Sequence, residues 1–181
     1  MLRSRPLVSI LVIVIVAGVA SIATLGFAQL PGPRPEHTTL LDDVGEWEGT
    51  QTFHLPGLPN DPIPAKQKVI AIGDFWIQAH FESEIVDLPY VGTGCLGYDP
   101  RTKKYVGTWV DSMGAHMAIM EGERRKDGTL VMRWQAPGFD GRLLPHRYER
   151  VRDGDRITST YYVNEDTKFM TISLKRKKRW R

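Results

Sequence analysis

The 181-residue sequence has one cysteine, Cys95. A lone cysteine forms no internal disulfide, so the fold must rest on its core. Cys95 lies in a strand-like stretch and reads as a small buried hydrophobe. There is no Asn-x-Ser/Thr acceptor for glycosylation. The five histidines, His37, His54, His80, His116 and His146, form neither an HExxH motif nor a close pair, so no local metal motif exists. No G-x-S-x-G elbow occurs, and Gly92-Thr93-Gly94 is not followed by a helix carrying a lysine, as a phosphate loop requires. These absences remove the local signatures of a metal site, a serine nucleophile and a nucleotide pocket, and no cofactor is expected.

Basic charge is also scarce where a nucleic-acid partner would need it. Lys+Arg number 24 against 21 Asp+Glu, a net charge of +3. Arg3 and Arg5 are the only charges in the first 28 residues, and six basic residues with no acid crowd into 175–181. Setting those two and six aside leaves 16 basic residues against 21 acidic ones in the body. A nucleic-acid-binding domain carries its basic groups on the folded face, so none is expected here.

Long apolar runs are limited to one. Residues 7–28 hold no charge, follow two arginines, and end in Gly26-Phe27-Ala28, a small-x-small site for signal peptidase. We read 1–28 as an export signal cleaved after Ala28, with an uncleaved anchor as the competing reading. Either one exports the body to the periplasm or the extracellular space. The proline-rich stretch 29–36 reads as a stiff linker that joins neither a helix nor a central strand.

Residues 37–44 are the one helix expected beyond the signal, with Leu40, Leu41 and Val44 on one face and Gly45 as its stop. The adjacent pair Asp42-Asp43 reads as solvated on that helix. Strands are predicted at 47–54, 65–72, 75–84, 94–98, 105–111, 116–123, 129–135, 144–152, 156–163 and 168–175. Turn chemistry separates them: Asp99-Pro100, Ser112-Met113-Gly114, Lys126-Asp127-Gly128 and Asp153-Gly154-Asp155. In 105–111, Tyr105, Gly107, Trp109 and Asp111 share one face. In the last strand Met170, Ile172 and Leu174 share one. Many short strands with short connections predict an all-β, antiparallel, up-and-down arrangement. Closure into a barrel removes its edges.

Two segments are more specific than periodicity. His37-Thr38-Thr39-Leu40-Leu41 leads into Gly45-Glu46-Trp47-Glu48-Gly49, and Gly94-Cys95-Leu96-Gly97-Tyr98-Asp99 precedes Lys103-Lys104-Tyr105-Val106-Gly107-Thr108-Trp109-Val110-Asp111-Ser112-Met113-Gly114. Together they resemble the bacterial, lipocalin-like DUF1579 family, over essentially all of 37–176. The resemblance implies a calycin-type barrel of eight to ten strands with a short amino-terminal helix closing one end. It also implies a structural plug at that end: Gly45 and Trp47, with Arg176 or Lys175 of the last strand over the indole. Gly45-x-Trp47-x-Gly49 further resembles the opening of nitrobindin-type haem barrels. Gln51 replaces their third glycine and no histidine follows His146, so the shape carries over and the haem does not.

The leading functional expectation is a cavity for a small, partly apolar ligand. Tyr98, Trp109, Met132 and Trp134 would supply aromatic and adaptable apolar surface. Asp111, His116 and Arg147 would supply the oriented polar contacts. Two alternatives remain: a barrel enzyme using Asp111 and His116, and a structural envelope protein. In the latter, the basic run 175–181, with 177–181 as a tail beyond the barrel, would touch anionic lipid or another polyanion.

Overall fold

A computed structural model describes residues 32–178 except 59, 86, 139, 140 and 165. The expected signal at 1–28 and the tail residues 179–181 lie outside the described residues. The described chain opens with α1 (Pro35–Leu41) and continues through ten strands. These are β1 (Gly45–Phe53), β2 (Ile63–Ile72), β3 (Trp76–Ile85), β4 (Leu88–Asp99) and β5 (Lys104–Asp111). They continue with β6 (Ala118–Arg124), β7 (Leu130–Pro137), β8 (Leu143–Asp153), β9 (Arg156–Val163) and β10 (Thr167–Arg176). Every strand pairs antiparallel with its sequence neighbours, and β10 returns to β1, so the sheet closes into an up-and-down barrel. Closure leaves no sheet edge along most of the ring, and that is why ten short strands suffice without disulfides.

The helix begins two residues earlier than its apolar spacing suggests. Pro35 occupies the first helical turn, where its missing N–H has no partner to lose, so the prolines do not all belong to a linker. The helix stops at Leu41, which leaves Val44 more than a third exposed and Gly45 as the first residue of β1. Asp43 is not solvated; it is buried and ion-paired with Arg150 at 2.7 Å. β4 starts at Leu88, earlier than expected, despite Pro89. Pro89 faces Glu84 on β3, but pairing with β5 begins only at Gly92, so on that side no donor is missed. Lys175 and Arg176 belong to β10, and the Lys177 amide bonds the Glu46 carbonyl.

The two ends of the barrel differ. At the α1 end the interior is filled by Leu40, Trp47, Tyr105, Leu130, Met132 and Leu174. α1 packs there against β3 and β4. His37 ties it down: its Nδ1 accepts the Arg34 N–H at 2.8 Å, and its Nε2 donates to the Tyr98 carbonyl at 3.0 Å. The other end, with the 112–117 turn on its rim, is open.

Two local features shape the ring. A β-bulge in β10 between Lys168 and Met170 sets two residues against one of β9. The β6–β7 ladder runs only from Arg124↔Leu130 to Glu121↔Arg133. Residues 118–120 of β6 pair with β5 alone and 134–137 of β7 with β8 alone, so the two strands splay toward the open end.

Candidate functional site

The unfilled end encloses a cavity of about 840 Å³. It stays open because of how Trp109 is seated. An added Cβ at Gly92 would lie 2.3 Å from Cζ2 of Trp109, and one at Gly94 would lie 2.7 Å from its Cε3. The indole therefore lies flat on the backbone of β4, against the wall, and does not reach across the lumen. Its Nε1 donates to the Tyr90 hydroxyl at 3.2 Å, which donates to Asp111 Oδ2 at 3.3 Å. Asp111 Oδ1 accepts the Met113 amide at 3.0 Å. One carboxylate thus both caps the turn at the rim and anchors the Trp109 wall. Burial, and then the Asp111 charge, push the Tyr90 phenol well above its ordinary value.

The opposite wall is a contiguous aromatic surface from β7 to β10. Trp134 stacks on His146 with centroids 5.4 Å apart, and Tyr148 lies 5.5 Å from Tyr161. Phe169 completes it, 6.1 Å from Tyr161. Strict alternation puts Phe169 on the outside with Thr171 and Ser173. The bulge removes that constraint, and Phe169 and Met170 both line the cavity. Burial raises the Tyr148 phenol to about 12 and the Tyr161 phenol still higher, so both stay protonated at neutral pH.

Of the residues singled out from sequence, Trp109, Asp111, His116 and Trp134 line this cavity. Three others do not. Tyr98 belongs to the filled end, edge-on to Tyr105 at 5.2 Å and to His37 at 5.7 Å. Met132 is fully buried in the core below the cavity. Arg147 sits on the outer surface, its guanidinium 4.0 Å from the Tyr162 ring and 3.4 Å from Glu149. It alternates with His146, Tyr148 and Arg150, and those three line the lumen. The inward cation of β8 is thus Arg150, which the charge-rich run 147–152 did not distinguish. Also missed were Phe81 and Tyr90, single residues in strands with no motif around them, and Gln51, which stood out only as a departure from a glycine pattern.

At the filled end the structure brings Gly45, Trp47 and Arg176 together. The Arg176 guanidinium lies 4.2 Å from the Trp47 ring, donates to the carbonyls of Val44 and Asp42 at 2.7 and 2.6 Å, and pairs with Asp155 at 3.2 Å. Trp47 Nε1 donates to the Asp43 carbonyl at 2.9 Å.

Asp111 and His116 share the rim, but His116 Nε2 donates to the Gln135 carbonyl at 3.0 Å, across the β6–β7 splay. His80 is on the outer face with Glu82. Among the described residues no three His, Cys, Asp or Glu side chains converge in a metal-binding group. Cys95 is half-buried, more open than a core thiol.

The family described as "Protein of unknown function (DUF1579)" matches residues 32–176. The chain belongs to the DUF1579 family. No curated protein matches it. Among solved structures it resembles an S-type phycobiliprotein lyase from Guillardia theta, with a TM-score of 0.52 and 15% identity. That likeness covers 82% of this chain and 100% of the lyase, and it shows the shared barrel fold. The DUF1579 match ends at Arg176, the residue that closes the barrel over Trp47.

Proposed function

We propose that this DUF1579 protein binds a small, partly apolar molecule inside its barrel. The observation that carries this reading is the seating of Trp109 on Gly92 and Gly94, which keeps about 840 Å³ of aromatic-walled space unfilled. A barrel that serves only as structure gains from filling its interior, because unfilled apolar volume forfeits packing energy. The volume falls in the range of small-molecule sites, and the lining follows their pattern of mainly apolar walls with a few polar groups. The fold shared with a phycobiliprotein lyase is compatible with such a use.

The test is titration with N-phenyl-1-naphthylamine, a neutral fluorescent probe. The wild type should bind it at micromolar level. Gly92→Val should tip the indole into the lumen and weaken binding about tenfold while the protein remains folded. A folded wild type that does not bind the probe would sink the proposal.

A further inference from the structure

Among the described residues, one group in the proposed cavity has no hydrogen-bond partner. Gln51 is 1% exposed and lines the cavity, and its amide nitrogen has no hydrogen-bond partner among the described residues. Buried amide groups are almost always paired, because an unpaired one is destabilising. An apolar side chain at this inward position of β1 would carry no such penalty.

The register continues that position around the wall. Gln51 faces Ile172 of β10, Ile172 faces Ser159 of β9, and Ser159 faces Arg150 of β8. All four line the cavity, so four adjacent strands contribute one rung in which three side chains are polar. Arg150 is paired with Asp43, a carboxylate that Arg152 also approaches at 3.9 Å. A guanidinium carries five N–H donors, and a single carboxylate does not use them all. Tyr148 and Tyr161 stand one inward position higher on β8 and β9 and face one another. Burial keeps both phenols protonated, as donors. The unpaired Gln51 amide nitrogen and the Arg150 guanidinium can only donate, the phenols just above them can donate as well, and aromatic walls rise above the rung.

We infer that this rung receives an acceptor oxygen, a carboxylate or a carbonyl, at one end of an apolar ligand that stands acceptor-down between the aromatic walls. The inference rests on the cavity reading above and names the polar end of its ligand.

Displacement of N-phenyl-1-naphthylamine from the full chain by three twelve-carbon amphiphiles tests it. Dodecanoate and its methyl ester both present a carbonyl, whereas dodecyltrimethylammonium has no acceptor. Dodecanoate, the ester or both should displace the probe at about tenfold lower concentration than the ammonium compound. Their ratio tells an ionised carboxylate from a neutral carbonyl. Gln51→Leu should lose most of that preference while keeping its affinity for the probe. Its Tm should hold or rise, because an unpaired buried amide has been removed. Gln51→Met, closer in length, carries the same comparison if the leucine variant does not fold. Equal ranking of the three amphiphiles by a wild type that binds the probe would overturn the acceptor floor and leave the cavity standing. So would a variant that retains the full preference. A wild type that binds no probe overturns both.

Discussion

Arg176 shows how much one side chain can carry. It stacks on Trp47, satisfies two carbonyls left by the end of α1, and pairs with the turn between β8 and β9. Gly45 makes the reach possible. Its φ of +146° suits glycine, and a Cβ there would meet the Arg176 Nη1 at 2.7 Å. Trp47 beneath it is 2% exposed, and its replacement by alanine should cost ~3–5 kcal/mol as a large core truncation. Arg176→Met keeps most of the stem and should cost less, ~1–3 kcal/mol. Urea unfolding measures both, and an unchanged midpoint for Trp47→Ala would show that the indole is not part of the core. Single residues are also where sequence reading ran out. Arg147 and Arg150 lie in one strand rich in charge on both faces. The inward position of Arg150 depends on Asp43, remote in sequence, for its counter-charge. Gln51 stands out in the sequence only where it breaks a glycine pattern, and its significance in the cavity lies in a missing bond.

Elements were far more legible than sites. Ten strands were expected and the described residues hold ten, because turn residues and period-two alternation are local properties. Strand ends moved where tertiary context decided them, as at Pro89, where one flank has no neighbour. Irregularities were invisible: neither the β10 bulge that admits Phe169 nor the β6–β7 splay has a sequence signature. The splay makes a prediction at this scale. Among the described residues, the facing edges of 118–120 and 134–136 have no cross-strand ladder partner in that gap, and the His116 contact to Gln135 spans it. In hydrogen exchange these edges should lose protection before 76–81 of β3, which is paired on both sides. Uniform protection around the ring would contradict the split. The groove outside the splay shares His116, Trp134 and His146 with the cavity inside, so the gap lies where the two approach each other.

At the scale of the molecule, the interior divides into a packed half under α1 and an open half beneath the rim. The order of strands around the ring follows the order in the chain, so almost every ladder joins neighbours in sequence. Closure is the exception: β1 must meet β10, and the clasp joins Val44 to Arg176 across 132 positions. Such distant pairing is slow to find, because a long loop must close before any contact rewards it. The barrel is therefore a structure whose first strand waits for its last. A chain that stops at 166 keeps nine strands but leaves β1 and β9 as open edges, and it should expose Trp47 and aggregate. A chain that stops at 177 retains the whole clasp and should unfold with the cooperativity of the full protein. Tryptophan fluorescence and light scattering on the two truncations distinguish these outcomes, and a soluble, compact 166-residue chain would contradict them. The Trp47–Arg176 clasp is in this sense a completion mark for the ring: it forms only once β10 has been supplied.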